Sequence, residues 1–368
     1  MKTMTPRLLL ALPIVLACGA LPAQAEIVIG SAGAITGPLA SLGIQEQRGA
    51  EQAVADINAA GGLLGEEVVL RFGDDQCDPR QAVSVANRFI NEGIEFVAGH
   101  LCSGASIAAR DVYADEGVLM ISPTATAPEF TEAGYDTVFR VAGRDDQQGA
   151  VSAAFIVENY PEARIAIVND KSTYGQGLAE VVRQQLNDAG IQEVLFESIT
   201  AGESDYSALV TRLKAENVDI LYYGGYHTEA GLIARQLRGQ DMDTIIVGAD
   251  GLANDEFWSI TGDLGAGTLF TFAPDPRNSP DAAEVVERMR ESGFEPDGFA
   301  LHTYAAIQTY AQAVEIAGST DVDAVIEALN NNTFQTVVGE RSFDEKGDIT
   351  QPAYVMYEWR DGEFTELQ

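Results

Sequence analysis

Short apolar segments alternate with longer amphipathic segments along most of this chain. Ten runs of mainly aliphatic and aromatic residues have the length of buried strands: 27–29, 68–72, 96–98, 118–121, 138–141, 165–168, 194–196, 220–223, 245–247 and 269–272. Helical periodicity fills most of the intervals, as at 45–60, 79–91, 147–159, 177–189 and 206–216. This alternation predicts βαβ units with parallel sheets that are covered on both faces.

The strand series restarts near residue 164 after a long helix, which predicts a second α/β domain. A chain of 368 residues also suits two domains better than one. After residue 274 the pattern changes. It then predicts helices over 281–292 and 299–318, followed by edge strands over 336–338 and 354–359.

Residues 1–25 have the three-part pattern of a secretory signal. Lys2 and Arg7 precede an apolar stretch, and the sequence AQA ends the segment as a cleavage site. The stretch is too short to span a membrane, and no later segment is long and apolar enough to do so. We therefore expect export to the periplasm, with lipidation at Cys18 as the less favoured alternative.

The net charge of the chain limits the classes of partner that it can bind. The chain has 22 basic and 56 acidic residues, a net charge of −34, and the acids are spread along its length. Such a surface excludes nucleic acid and anionic lipid as partners. Because it would also repel a free anion, any carboxylate ligand is expected to carry a cationic group of its own.

Two cysteines, Cys77 and Cys102, remain once the signal is removed. In an exported protein an even pair predicts a disulfide, and a reactive catalytic thiol is the weaker alternative. Because Cys102 precedes Ser103, such a bridge would also stiffen the turn described next.

Two strand-to-helix turns carry the most informative polar residues. Ser103 follows the strand at 96–98, Thr126 follows the strand at 118–121, and each stands where a helix would be capped. Helix N-termini have unpaired N–H groups and favour anions, so two of them at one sheet edge would form a cradle for a small carboxylate. The alternative is that both hydroxyls only cap their own helices.

The second domain offers complementary groups at its strand ends. The sequence YGGY at 223–226 and the sequence GADG at 248–251 follow two of its predicted strands. Ligands of open parallel sheets lie beyond the carboxyl ends of the strands. Tyr226 and Asp250 would therefore face the cradle, where Asp250 could pair with an ammonium. Asp250 as a simple turn former before Gly251 remains the alternative.

Catalysis has little support in the sequence. The three histidines (His100, His227 and His302) have no zinc-site spacing, and no nucleophile elbow, Walker A loop or HExxH motif occurs. We expect no metal and no cofactor.

Several ordered motifs resemble the periplasmic leucine/isoleucine/valine-binding proteins of ABC transporters. They include GAEQAVADIN at 49–58, CDP at 77–79, GHLCS at 99–103, ATAPE at 125–129, YYGGYH at 222–227 and DEKGD at 344–348. The resemblance covers nearly the whole mature chain. It implies the type I periplasmic binding fold, an α/β architecture of two doubly wound parallel-sheet lobes joined by a three-segment hinge. Lobe 1 would hold 26–144 and 274–351, and lobe 2 would hold 145–273 and 352–368.

The same resemblance implies a function and a set of ligand contacts. The protein would be a monomer that captures a small amino acid, branched-chain or otherwise aliphatic, for a membrane permease. Ser103 and Thr126 would bind the ligand carboxylate, while the Thr124 carbonyl, Tyr226 and Asp250 would bind its ammonium. The side-chain pocket would be formed by Leu42, Leu101, Cys102, Tyr174 and Phe299. The resemblance also supports the Cys77–Cys102 disulfide independently.

Two positions depart from the pattern of the best-known branched-chain receptors. Asp250 stands where they have glutamate, and Leu42 stands where they have a large aromatic residue. Both changes put strict selectivity for leucine, isoleucine and valine in question, because one methylene discriminates by only about 1–3 kcal/mol. An amide, a γ-amino acid or an aromatic acid is therefore the alternative ligand, and an exported α/β enzyme is a distant third hypothesis.

Overall fold

The structure, a computed structural model, describes residues 26–367. The signal predicted for 1–25 and the alternative of lipidation at Cys18 lie outside these residues. Two large sheets and one two-stranded hairpin form the β structure. The strands are β1 (Glu26–Gly33), β2 (Glu67–Asp74), β3 (Phe96–Gly99), β4 (Leu119–Ser122), β5 (Val138–Arg140), β6 (Ile165–Asn169), β7 (Leu195–Ser198), β8 (Ile220–Gly224), β9 (Ile245–Gly248), β10 (Leu269–Phe272), β11 (Phe334–Thr336), β12 (Gly339–Arg341), β13 (Val355–Arg360) and β14 (Glu363–Glu366).

Helices cover both large sheets. They are α1 (Ala40–Ala59), α2 (Pro79–Asn91), α3 (Ser103–Asp115), α4 (Glu129–Glu132), α5 (Asp145–Asn159), α6 (Thr173–Asp188), α7 (Ser207–Ala215), α8 (His227–Gly239), α9 (Asp255–Thr261), α10 (Ala283–Glu291), α11 (Ala300–Ala317) and α12 (Val322–Asn331). Short 3₁₀ turns occur at Asp250–Leu252, Gly262–Gly265 and Pro276–Asn278. Within 26–367, no helix combines the length and apolarity that crossing a membrane requires.

The first sheet is fully parallel, with strand order β2-β1-β3-β4-β5. Its strands are buried on both faces, which explains their near-continuous apolar runs. On one face Val97 and Met120 pack with Phe89 of α2 and Tyr113 of α3. On the other face the strands pack against α1 and α11. We call this sheet and its helices the first lobe.

The second sheet has the order β14-β13-β10-β9-β8-β6-β7. Strands β6 to β10 are parallel to one another, whereas β13 pairs antiparallel with β10 and β14 antiparallel with β13 at one edge. Helices α5 and α6 cover one face and α7 and α8 the other. We call this sheet and its helices the second lobe. The sequence predicted β13, but the hairpin that leads to β14 was missed.

The chain passes between the lobes three times. It leaves the first lobe after β5, returns after β10 to place α11 on the first sheet, and crosses again before β13. We call the connecting residues 141–144, 273–275 and 350–354 the three crossings. The domain boundaries predicted from the sequence fall within or directly beside these segments. Their exact positions remain a prediction.

Most predicted elements are confirmed, and the differences have local causes. Helix α1 begins five residues before the predicted start, because its first turn carries the apolar residues Leu39 and Leu42 rather than a polar cap. The strand predicted over 336–338 is wrong. Residues 337–338 form the turn of the β11–β12 hairpin, whose tip includes Gly339 with φ +91°. Glycine accepts that conformation at low cost, which favours a turn over a continuous strand.

Candidate functional site

The candidate site lies where the carboxyl ends of both parallel sheets meet. In each sheet the strand order reverses next to the first strand of the lobe, which places β1 beside β3 and β6 beside β8. Loops on the two sides of such a reversal diverge and leave a crevice between them. The loops after β1, β3 and β4 face the loops after β6, β8 and β9 across this crevice.

Ser103 occupies the first turn of the crevice, but it is not the cap of its helix. The N-cap of α3 is Cys102, and Ser103 is the first helical residue. The buried Ser103 hydroxyl accepts a hydrogen bond from the N–H of Ala127 at 3.2 Å. The prediction of a cap is therefore wrong, because this hydroxyl joins the two turns to each other instead.

Thr126 in the second turn is not a cap either. Helix α4 is only four residues long, and its N-cap is Pro128. The Thr126 side chain is buried, and its hydroxyl has no hydrogen-bond partner among the described residues. The helix that the sequence predicts after the second turn is present as α4 but is only four residues long, so the second turn has no substantial helix dipole behind it.

A buried guanidinium shapes the second turn instead. Nη1 of Arg140 donates to the carbonyl oxygens of Ala125 at 2.8 Å and Ala127 at 2.9 Å. Its Nε donates to Asp348 at 2.6 Å, and its Nη2 donates to Thr131 at 2.6 Å. These bonds fix the backbone on both sides of Thr126. Asp348 closes the DEKGD motif, whose positioning role the sequence did not reveal.

A second buried network fixes the first turn. Nδ1 of His100 lies 2.6 Å from the carboxylate of Asp75, and its Nε2 lies 3.1 Å from the hydroxyl of Tyr113. The Cys77–Cys102 disulfide is present and connects the loop after β2 to the start of α3. The Thr124 hydroxyl donates to the Leu101 carbonyl at 2.7 Å. The polar groups around this turn are therefore held by protein partners.

The second lobe contributes a buried carboxylate and two tyrosines. The Tyr174 hydroxyl donates to Asp250 at 2.6 Å and accepts from the N–H of Gly251 at 2.9 Å. The rings of Tyr174 and Tyr226 lie 5.0 Å apart. Burial is the main influence on Asp250, and it raises the pKa of the carboxyl to about 6. Position 251 requires glycine, since a Cβ there would lie 2.7 Å from the carbonyl oxygen of Gly225.

Asp145 is a functional candidate that the sequence reasoning missed. It is the first residue of α5, its side chain is fully buried, and neither carboxylate oxygen has a hydrogen-bond partner among the described residues. Burial, and secondly the negative charge of Asp250, raise its pKa well above the ordinary value. The sequence shows only an acid in the first turn of a helix, which is common, so local pattern gave no signal.

Eight of the ten predicted ligand residues surround one small cavity in the crevice. Its lining comprises Leu42, Leu101, Ser103, Thr124, Tyr174, Tyr226, Asp250 and Phe299, together with Gly251. The cavity volume is about 20 Å³. The two predicted residues outside it are Thr126, which is buried behind the second turn, and Cys102. Cys102 lines an adjoining cavity of about 480 Å³ that also reaches Tyr226 and Asp170.

The arrangement suits binding more readily than bond-breaking chemistry. Serine and threonine hydroxyls and backbone N–H groups on one side can donate hydrogen bonds to a carboxylate. Buried carboxylates and tyrosine hydroxyls on the other side can hold a cation. Among residues 26–367, no group of three or more histidine, cysteine or acidic side chains is placed to hold a metal ion.

Comparison with known proteins agrees with this geometry. Residues 26–363 match the model of a periplasmic binding protein family. The "Leu/Ile/Val-binding protein homolog 1" of Brucella melitensis is 46% identical over 362 residues, which cover 97% of both chains. The "Amino acid binding protein" of Pseudomonas aeruginosa is 45% identical and covers 94% of this chain and 93% of its own.

Solved structures show the same architecture. The leucine binding protein LivK from Thermotoga maritima superposes with a TM-score of 0.86 at 28% identity, covering 93% of this chain and 98% of the other. LivJ from Streptococcus pneumoniae, solved in complex with isoleucine, gives a TM-score of 0.84 at 28% identity, with 92% and 98% covered. Since both the family model and the close relatives span nearly all of residues 26–367, this chain belongs to the periplasmic binding protein family.

Proposed function

We propose that this protein is a non-catalytic receptor that binds a zwitterionic amino acid with an aliphatic side chain between its lobes. One observation carries the proposal. A buried carboxylate, Asp250, faces the hydroxyl-bearing turns of Ser103 and Thr124 across a single cavity. Opposite charge preferences at the two sides of one cavity match the two charged groups of an amino acid.

The proposed roles of the individual residues follow from the opposite charge preferences of the two sides of the cavity. Ser103, Thr126 and neighbouring backbone N–H groups are proposed to bind the ligand carboxylate. The Thr124 carbonyl, Tyr226 and Asp250 are proposed to bind the ammonium, with Asp145 as a second negative charge close behind. Leu42, Leu101, Cys102, Tyr174 and Phe299 would surround the side chain. Relatives that are named for binding leucine, isoleucine and valine support the aliphatic choice.

Ligand entry requires the lobes to move apart. A volume of about 20 Å³ holds roughly one water molecule, far less than an amino acid. Few polar contacts hold the crevice shut near α1 and α8. Ser41 Oγ lies 3.3 Å from Nε2 of His227, and the Thr228 hydroxyl donates to the Pro38 carbonyl at 3.2 Å. Rotation about the three crossings would break these contacts and admit the ligand.

The family supplies the cellular setting of the proposal. We propose a periplasmic monomer that is released from the signal at 1–25 and delivers its ligand to the permease of an ABC transporter. Lobe 1 is proposed to hold 26–144 and 274–351, and lobe 2 is proposed to hold 145–273 and 352–368. The strongly acidic surface supports a freely diffusing carrier that avoids anionic lipid.

Isothermal titration calorimetry against a panel of ligands tests the function. The protein is first unfolded, dialysed and refolded to remove any ligand that co-purifies. Leucine, isoleucine and valine are expected to bind with one site per chain, and the recovered ligand should be chemically unchanged. Absence of heat with every aliphatic amino acid at millimolar concentration would contradict the proposal.

Leu42 and Asp250 favour one alternative that the same titration can detect. Because both residues differ from the pattern expected of branched-chain receptors, the pocket could prefer an amide, a γ-amino acid or an aromatic acid. In that case glutamine, γ-aminobutyrate or benzoate should displace leucine from the protein. Submicromolar leucine binding without displacement by these compounds would exclude the alternative.

A further inference from the structure

A further cavity, separate from the two already described, lies at the hinge. Its volume is about 510 Å³, and all three crossings contribute to its wall through residues 141–143, Ala273, Pro274, Gln351 and Ala353. Two side chains from the first lobe, Arg341 of β12 and His302 of α11, complete the polar part of the lining. Neither the family comparison nor the proposed amino acid site assigns a role to this cavity.

Arg341 is a cation without a carboxylate partner. Its Nε donates to the Val141 carbonyl at 3.1 Å, and its Nη1 donates to the Glu340 carbonyl at 2.8 Å. No ion pair joins it to an acid anywhere in the described chain, although most of the other described arginines form one. Burial alone lowers the pKa of Arg341 to about 10, and the group remains charged at neutral pH.

His302 adds a second polar group to the same wall. Its side chain is 3% exposed, and its Nδ1 has no hydrogen-bond partner among residues 26–367. Burial, and secondly the charge of Arg341, lower the pKa of the imidazole to about 3, against the opposing effect of a backbone hydrogen bond to Gly298. The ring is therefore neutral and has one N–H, for which the Gly298 backbone and an anion in the cavity compete. The one acid in the lining, Glu340, is exposed and accepts from Gln335 at 3.1 Å.

We propose that the hinge cavity binds a small inorganic anion, such as chloride, against Arg341 and His302. A partly buried guanidinium without a counter-ion gains from an anion that satisfies its free N–H groups. The cavity is large enough for a chloride or an oxyanion with several waters, given about 30 Å³ per water. Because all three crossings line the cavity, its shape changes with the angle between the lobes, and binding of the anion would be linked to that angle.

Chloride-35 NMR line width tests this site on the purified protein without any amino acid present. Chloride is varied against gluconate, a bulkier and more weakly coordinating anion, at constant ionic strength. The wild-type protein should broaden the chloride line in a saturable way, and millimolar sulfate should reverse the broadening. A wild-type protein that causes no saturable broadening, or one whose broadening sulfate leaves unchanged, contradicts the proposal without the need for any variant.

Two matched variants assign the effect to the cavity. Arg341→Met should weaken chloride binding at least tenfold. Arg238→Met is the control, because Arg238 is also partly buried and donates only to backbone carbonyls, those of Met242 and Thr244. It lies far from the crossings in sequence, on α8, and its loss should leave the broadening unchanged. Equal broadening by wild type and Arg341→Met, or equal loss in both variants, overturns the assignment.

Discussion

The two sides of the crevice are built in opposite ways. On the first lobe, polar groups of the binding turns are largely paired within the protein, through Arg140 and Asp348 behind one turn and His100 and Asp75 behind the other. On the second lobe, neither carboxylate oxygen of Asp145 has a partner at hydrogen-bond distance among the described residues, although Thr126 lies close by. The buried Asp250 carboxylate accepts from Tyr174 at 2.6 Å, with the Gln148 amide as a further neighbour that lowers its pKa. Glu46 of α1 on the first lobe is also fully buried without a hydrogen-bond partner among the described residues, but it does not line the cavity. At the cavity itself, the first lobe presents pre-organised turns and the second lobe presents a buried carboxyl group, that of Asp250.

The two lobes therefore contribute different properties to the site: the first a fixed backbone shape, the second a buried charge. Satisfied networks fix the backbone of the first lobe, so hydroxyls and N–H groups are in place before a ligand arrives. Buried carboxylates cost free energy until a cation neutralises them. The buried Asp250 carboxylate of the second lobe therefore carries an unfavourable free energy, which the proposed ammonium contact would relieve. Stability should accordingly depend on the first lobe, and ligand affinity on the second.

The largest expected effect is a loss of stability caused by a substitution in the first lobe. Arg140→Met removes a fully buried guanidinium and leaves the carbonyls of Ala125 and Ala127 without their partner, while Asp348 loses one of its two cations and keeps Arg144 at 2.7 Å. Removing one member of a buried ion pair costs about 3–5 kcal/mol, which should appear as a lower free energy of unfolding in urea. Arg164→Met, at an exposed pair with Glu216, is the control and should change stability by less than about 1 kcal/mol. Equal effects of the two substitutions would contradict the contrast.

The next largest effect is a loss of ligand affinity at the second lobe without a loss of stability. Asp250→Asn should weaken amino acid binding by about 1.5–3 kcal/mol, or roughly 10- to 150-fold, because a charge-assisted contact to the ammonium is lost. The same variant should be at least as stable as wild type when free of ligand. Asp297→Asn changes another buried carboxyl that does not line the cavity, and should bind as wild type. Calorimetry gives the affinities, and thermal unfolding gives the stability.

The pH dependence of binding is a second test of the role of the Asp250 carboxylate. Since burial raises the pKa of Asp250 to about 6, the carboxyl is protonated below that pH and cannot pair with an ammonium. Affinity should rise as the pH increases from 5 to 7 and then level off. Asp250→Asn should flatten this rise, and an unchanged profile in the variant would show that another group controls binding.

The stability of the ligand-free protein should change with pH in the opposite sense. The pKa of Asp250 is raised to about 6, so this group binds more protons in the folded state than in the unfolded chain between about pH 4 and 6, and the raised pKa of Asp145 acts in the same direction. Their contribution to stability is full below this window and is lost as the pH rises through it. Urea unfolding of wild type and Asp250→Asn isolates the contribution of Asp250. The free energy of unfolding should fall less steeply with pH over this window in the variant than in wild type.

A smaller effect concerns the first lobe again. Ser103→Ala removes the acceptor for the Ala127 N–H and a proposed ligand contact, and it should weaken binding by about 1 kcal/mol or more. Ser106→Ala is the matched control, because that buried hydroxyl in the same helix donates to His100 and does not line the cavity. Comparable losses in both variants would place the effect in the fold of the turn rather than in ligand contact.

The smallest effect concerns ligand choice. Leu42→Ala enlarges the side-chain region of the cavity and should shift the affinity ratio of phenylalanine to leucine upward by about 1 kcal/mol. Leu186→Ala, a buried change in α6 outside the cavity, should leave the ratio unchanged. A ratio that is the same in wild type and Leu42→Ala would remove Leu42 from the determinants of selectivity.

The sequence predicted strands and strand-end residues well because buried parallel strands leave an unmistakable apolar run. Ser103, Tyr226 and Asp250 could be found because each follows such a run directly. Asp145 could not be found, because its burial depends on how α5 meets the second lobe, which no local pattern encodes. The same holds for Arg140, which looks like the end of a strand and acts as the support of a turn 13 to 15 residues earlier.

The most direct test of the central claim compares three ligands of one shape by calorimetry: L-leucine, 4-methylpentanoate, which lacks the ammonium, and 3-methylbutylamine, which lacks the carboxylate. If the first lobe binds the carboxylate and the buried acids of the second lobe bind the ammonium, leucine should bind at least 100-fold more tightly than either analogue. Binding of either analogue with an affinity close to that of leucine would contradict the account.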